Sequence, residues 1–202
     1  MISDSEIIPE NLQGYFLISE VDLHDPNFYH SVILITDHNP SGAFGLVVNR
    51  PANVLLQDLV PVFSGSTAGA IPVYVGGPVE QQYLFVLHDG IDGLNVPEPK
   101  IEPVPGVIFQ PLTETMARFL IESVSELSSK TLQKRIHVFA GYSGWSTGQL
   151  ESELRAESWY TIPATADIIF HSNPSTGWQD ALSRKGDLYS IIAQTGFKPS
   201  RN

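Results

Sequence analysis

The chain reads as an α+β protein, either a sheet layer with helices or a partly closed barrel. Two observations lead there: strand-like runs outnumber helical ones, and hairpins come early in the chain while helices come late. Regular alternation of strand and helix, the mark of a doubly wound parallel sheet, is missing. With 202 residues and 42% hydrophobic content the chain can bury one substantial core. A single domain over residues 12–202 is expected, after a polar, poorly ordered lead-in at residues 1–11.

Gly14-Tyr15-Phe16-Leu17-Ile18 opens the first strand pattern. After the turn-like Asp25-Pro26-Asn27, residues 31–36 (SVILIT) are β-branched and apolar on both faces, as in a central strand covered on both sides. The turn formers Asn39-Pro40-Ser41-Gly42 lead into residues 44–49, which predicts an antiparallel hairpin with a connection longer than two residues. Asn49-Arg50-Pro51 ends it. Leu55, Leu56, Leu59 and Val60 have helical spacing for one or two turns, and residues 64–70 form a flexible loop. Strand patterns at residues 72–75 and 83–87 flank the turn Gly76-Gly77-Pro78. Residues 96–106 are rich in proline, which removes backbone donors, so a surface loop is expected.

Met116, Phe119, Leu120, Val124 and Leu127 recur at spacings of three and four, predicting an amphipathic helix over about residues 113–128. A strand pattern at residues 136–140 then runs through the glycine-rich Gly141-Tyr142-Ser143-Gly144 into a capped helix. Residues 159–162 make a further strand, broken at Pro163, and the short segment 167–171 follows. Ser175 or Thr176 can cap a last helix carrying Trp178, Ala181 and Leu182.

Charge narrows the function. The formal net charge is −11, from 22 acidic against 11 basic residues, and the acids are spread along the chain. A diffuse negative field repels phosphate backbones, and the basic cluster of Lys130, Lys134 and Arg135 is too small for a counterion-displacing stripe. Direct DNA binding is not expected. The lack of cysteine excludes disulfides, thiolate metal sites and cysteine nucleophiles. No signal-peptide pattern and no uncharged apolar run of about 18 residues occurs, so a cytoplasmic protein with no membrane partner is expected.

Four separated strings carry a further signal: DHNPSGAFGLVVNRP at residues 37–51, YVGGPV at 74–79, LFVLH at 84–88 and GYSGWSTGQLESE at 141–153. In this order they resemble the bacterial YqgE/AlgH family, over about Leu12 to Leu182. The resemblance implies a mixed, mainly antiparallel sheet curled into a bifurcated pseudo-barrel with flanking helices. The AlgH name implies a role in transcriptional regulation, which the acidic charge and the lack of a helix-turn-helix signature make indirect. The resemblance transfers no catalytic residue. Some members carry a cysteine at the position of Thr36, so threonine here takes thiol chemistry away.

The string at residues 141–153 has the outline of a nucleophile elbow. An elbow needs G-x-S-x-G, however, and its last position is Trp145. Asp167 and His171 follow Ser143 in triad order but stand four apart on one short segment, a poor arrangement for an orienting acid and a base. Capping explains more of the residues: Ser146 with Gln149 fits a capping box and Trp145 with Leu150 a hydrophobic staple, worth about 1 kcal/mol. Free amides at a helix start also attract anions, so Ser143, Gly144, Ser146, Thr147 and Gly148 form a candidate anion or ligand corner.

His24, Asp25, His30, Asp37 and His38 offer nitrogen and oxygen ligands without a specific metal spacing. His88 ends an apolar strand, where a histidine bonds to backbone or serves as a base. Gly76-Gly77-Pro78 lacks the lysine and spacing of a P-loop. Asp37, His38 and His88 are the candidate pocket residues. The expectation is therefore a binding protein with no catalytic residue, no metal and no cofactor, acting on an unidentified protein partner or small ligand. The alternative is a small-molecule or anion-binding, hydrolase-like enzyme using the corner from Gly141 to Glu153. One sequence sets no oligomeric state.

Overall fold

A computed structural model describes residues 9–198 apart from 92, 95, 97–98 and 123–126. Residues 1–8 of the expected lead-in and Val124 of the expected helix lie outside the described residues. The strands are β1 (Tyr15–Ser19), β2 (Val32–Asn39), β3 (Gly42–Val47), β4 (Pro51–Leu55), β5 (Pro72–Val75), β6 (Val79–His88), β7 (Ile101–Val104), β8 (Val107–Pro111), β9 (Ile136–Ser146) and β10 (Trp159–Pro163). They run in the order β10-β1-β2-β3-β9-β6-β8-β7, while β4 pairs with β5 and β5 joins β9. Among the described residues every pairing is antiparallel except β5 with β9. The mixed sheet curls into a half-barrel, flanked by α1 (Leu56–Leu59), α2 (Glu114–Glu122), α3 (Ser129–Gln133), α4 (Gln149–Arg155), α5 (Ala166–Ile169), α6 (Gly177–Ser183) and α7 (Asp187–Thr195). The α+β class expected from the sequence is the one observed.

The sheet divides at β9. Over Val138, Phe139 and Ala140 this strand lies between β5 and β6; over residues 143–146 it pairs with β3 instead of β5. The handover brings backbones very close: the Gly76 N–H donates to Ala140 O, and the Val47 N–H donates to Gly76 O, both at 2.9 Å. A Cβ on Gly77 would stand 2.1 Å from the Tyr142 carbonyl oxygen, and Gly141 holds φ +69°, where a side chain is strained. The glycines of two of the four strings thus meet at one fork.

Strand alternation sorts the apolar side chains into three clusters. Phe16, Leu34, Leu46 and Phe139 face the interior, which Ile168, Trp178 and Leu182 of α5 and α6 close. Val73, Val86, Ile136 and Val138 face the other way, under Leu120 of α2 and Leu132 of α3. Leu17, Ile33, Ile35, Trp145 and Trp159 receive Leu150 and Leu154 of α4. Each fully buried aliphatic or aromatic side chain contributes roughly 1.5–3 kcal/mol, so these layers hold the curl.

Several elements differ from the sequence reading. The β2–β3 connection is only Pro40 and Ser41, because β2 continues to Asn39 after a bulge at Thr36 absorbs one residue. Part of the proline-rich segment is β7 rather than loop; it lies at the sheet edge, where Pro103 can lack a donor on the open side. Residues 51–55 add β4, and the expected loop at 64–70 contains a 3-10 turn whose Gly69 N–H is accepted by the Ser66 hydroxyl at 3.1 Å. The long helix is represented by α2, followed by a separate α3 capped by Ser128. Neither Ser175 nor Thr176 caps α6; Asn173 instead caps the 3-10 turn before it. A further helix, α7, follows: Ile192 and Ala193 are buried, but exposed Leu188 and Ile191 blur its apolar stripe. No described helix is long and apolar enough to cross a membrane.

Candidate functional site

The glycine-rich stretch after Ala140 is strand, not a turn. Ser143 and Gly144 lie in the ladder with β3, opposite Gly45 and Phe44. Ser143 is fully buried, and its hydroxyl donates to the Gly76 carbonyl at 3.2 Å. Asp167 pairs with Arg184 and His171 with Asp180, so both are committed away from Ser143. The helix start has moved to Gly148, in the left-handed region at φ +73° with no side-chain cap. Half of the capping box forms: Gln149 Oε1 accepts the Ser146 N–H at 3.1 Å, but the Ser146 hydroxyl donates to that same oxygen at 3.2 Å instead of accepting a helix amide. Thr147 donates its hydroxyl to the Ser41 carbonyl at 3.2 Å.

The main tie in this region comes from Glu153. One carboxylate oxygen accepts the indole N–H groups of Trp145 and Trp159 at 2.9 and 2.8 Å, and the other accepts the Gln149 side-chain amide at 2.9 Å. The clamp joins α4 to the distal end of β9 and to β10. Another of the strings also acts structurally: the Arg50 guanidinium donates to the carbonyls of Pro26, Asn27 and Tyr29, and Asn49 bridges the Val32 N–H and the His30 carbonyl. A cleft of about 220 Å³ beside Arg50 contains His30, which is already stacked between Tyr29 and Trp178 at 4.0 and 3.9 Å.

Asp37, His38 and His88 line neither this cleft nor the one described below. Asp37 is exposed and accepts the Asn39 side-chain amide at 2.9 Å. His38 Nδ1 accepts the Leu12 N–H at 3.0 Å, and its Nε2 lies 3.1 Å from the Glu151 carboxylate. His88 is fully buried; its Nδ1 accepts the Gly90 N–H at 3.2 Å and its Nε2 meets the Gln110 side-chain amide at 3.0 Å. Burial pushes His88 down to about 4. Both nitrogens of His38 and of His88 are used, which is how structural histidines sit. No group of three metal-ligating side chains occurs among the described residues.

His137 is different, and the sequence reading did not single it out. It points to the same side of β9 as Phe139, stacks on Tyr74 at 4.6 Å and meets the edge of Phe170 at 5.1 Å. Its Nε2 lies 3.1 Å from the Gln133 carbonyl. A carbonyl only accepts, so the proton sits on Nε2 and Nδ1 is a bare acceptor. That Nδ1 is buried and has no partner among the described residues. Burial pushes His137 down to about 4, which keeps the ring neutral at pH 7, and raises Tyr74 above its ordinary value.

An unsatisfied buried acceptor costs about 1–3 kcal/mol, so packing alone would favour phenylalanine at this position. His137 lines a cleft of about 390 Å³ together with Tyr74, Lys130, Lys134, Phe170 and His171. The starts of β5 and β9, the end of α3 and the loop after α5 bring these residues together. A cleft of this size suits a small molecule, for which sites of roughly 300–1,000 Å³ are usual. The signal in the sequence was a lone histidine near one end of an apolar strand. His88 gives the same signal, so sequence could not separate the two.

A profile of the AlgH-like family matches residues 16–190. A UPF0301 protein from Thioalkalivibrio sulfidiphilus is 37% identical over 186 residues, covering 91% of this chain and 94% of its own. A UPF0301 protein from Chlorobaculum tepidum is 31% identical over 192 residues, covering 94% and 95%. The solution structure of the AlgH protein from Pseudomonas aeruginosa matches with a TM-score of 0.71 at 28% identity, over 96% of this chain and 98% of that one. The crystal structure of protein DIP2367 from Corynebacterium diphtheriae shares the fold, with a TM-score of 0.70 at 22% identity over 92% and 93%.

Proposed function

The chain belongs to the AlgH-like family, and on that premise we propose that it is a non-catalytic, cytoplasmic binding protein whose ligand site is the cleft around His137. The observation that carries this reading is the bare, buried Nδ1 of His137, a residue that lines a cleft of molecular size. A group that costs stability and has no partner among the described residues calls for a contact beyond them, and a bound ligand supplies one. Binding suits the site better than catalysis. A histidine near 4 is a weak base at neutral pH, its Nε2 is held by a carbonyl rather than an orienting carboxylate, and Tyr74 is shifted away from ionising. The serine of the hydrolase-like alternative, Ser143, is buried with its proton directed at Gly76. Any regulatory effect on transcription is indirect and works through ligand occupancy, since a chain of net charge −11 has little attraction for DNA.

The test is a thermal-shift screen of the full chain with nucleotides, phosphates, metals and small carboxylates, repeated on His137→Phe. A specific ligand raises the melting temperature of the native protein by mass action, and the gain is expected to disappear in His137→Phe. The reading fails if nothing in the screen stabilises the protein, or if the variant responds as the parent does.

A further inference from the structure

Resting on that reading, we infer that the ligand of the His137 cleft is a small organic anion carrying a hydrogen-bond donor. An N–H or O–H group meets His137 Nδ1, and a carboxylate or phosphate monoester faces Lys130 and Lys134.

The donor follows from the tautomer. Because Nε2 gives its proton to the Gln133 carbonyl, Nδ1 can only accept, and it has no donor among the described residues. A ligand lacking the donor would leave that nitrogen desolvated and unpaired, the arrangement by which polar sites reject such analogues most strongly. The anion follows from the rim. The chain has twice as many acidic as basic residues, 22 against 11, yet no aspartate or glutamate is among the described residues lining this cleft. Lys130 near the start of α3 and Lys134 at its C-cap are four residues apart, a spacing that places both on one face. Both are exposed, and neither has an ion pair or hydrogen-bond partner among the described residues. The other basic groups nearby are occupied: Arg135 pairs with Asp89 and His171 with Asp180. Pro72, Tyr74 and Phe170 give the cleft apolar walls, which suit a carbon skeleton between the donor and the charge better than a bare inorganic ion. Exposed lysines alone attract anions weakly and lose that attraction with salt, so selectivity resides in the buried nitrogen.

The class is tested on the full chain by NMR titration that follows the His137 ring nitrogens, with two sets of probes that separate the sources of the anion. The carboxylate set is 4-hydroxybenzoate, benzoate without the donor, and methyl 4-hydroxybenzoate without the charge. The phosphate set is 4-hydroxyphenyl phosphate, phenyl phosphate and hydroquinone. At least one donor-bearing anion is expected to bind about tenfold or more tighter than both of its incomplete analogues and to shift Nδ1. Removing both ammonium groups with Lys130→Ala and Lys134→Ala is expected to weaken that binding by about tenfold and flatten its salt dependence. Exposed Lys134→Ala alone retains the fold and is expected to give a smaller loss in the same direction.

The class is overturned if an analogue without donor or charge binds as tightly, if the lysine variants bind like the parent, or if none of the six compounds shifts the His137 resonances. Neutral molecules that bind in a His137-dependent way would leave the binding reading standing while removing the anion. If no compound in the screen binds through His137, both readings fall.

Discussion

At one end of β9, Trp145 and the side chains of α4 bond to one another; at the other, His137 keeps a buried nitrogen with no partner among the described residues. The distal end holds the conspicuous string of serines, glycines and carboxylates, and its side chains are largely accounted for within the fold. The proximal end looks like ordinary strand sequence, yet it contains the one buried side-chain polar atom left unpartnered among the described residues. Folding favours arrangements in which buried polar groups find partners, so a motif whose groups are all partnered inside the protein has a structural explanation already. A group left over needs another one. Residue types that suggest chemistry are thus a weaker guide to the site than the state of their hydrogen bonds.

Glu153→Ala is expected to have the largest effect on this contrast. It removes the acceptor of two mostly buried indole N–H groups, and a loss of about 2–4 kcal/mol in urea unfolding is expected. Ligand affinity at the His137 end should stay unchanged in the protein that remains folded. A loss well below about 1 kcal/mol would show that the clamp is not what fastens α4.

His137→Phe should produce the opposite pattern, with stability at pH 7 within about 1 kcal/mol of the parent and binding abolished. Its pH dependence sharpens the point. His137 and His88 are both held at about 4, below the ordinary histidine value of 6.5. The unfolded chain therefore takes up these protons first as acid is added. Stability is full above 6.5 and falls as the pH drops towards 4. In His137→Phe one of the two contributions is gone, so the acid slope measured by urea unfolding should be shallower. An unchanged slope would mean that this ring is not buried in its neutral form.

Ser146→Ala should matter least. Its hydroxyl is exposed and donates to Gln149 instead of capping α4, so the melting temperature should change by the equivalent of less than about 0.5 kcal/mol. A loss near the roughly 1 kcal/mol of a true cap would restore the capping box read from the sequence.

Legibility in the sequence followed the range of the interactions. Strands such as β2, β5 and β6 were visible as short β-branched or aromatic runs, because alternation and propensity are local. The fork was not visible, since Gly77 and Gly141 constrain each other only once β9 has been laid beside the segment after β5. The proline rule was right about ladders but not about position: Pro103 is tolerated because β7 is an edge, and edges are decided by the whole sheet. The candidate corner misread a strand as a turn for the same reason, as pairing with β3 carries the chain straight through Gly144.

The amino-acid sequence by itself determined the class of the fold, most of its strands, the acidic surface and the family resemblance, all of which depend on composition, local pattern and order of motifs. Only the tertiary structure decided that Ser143 and Glu153 hydrogen-bond within the fold, that Asp37, His38 and His88 line neither of the two clefts described above, and that His137 keeps a buried nitrogen without a partner among the described residues. Two histidines on apolar strands, His88 and His137, are alike as letters. They differ because Gln110 and Gly90 reach one of them and nothing among the described residues reaches the bare nitrogen of the other. Whether a buried polar atom finds a partner is settled by distant parts of the chain brought within about 3 Å, and no local pattern carries that information.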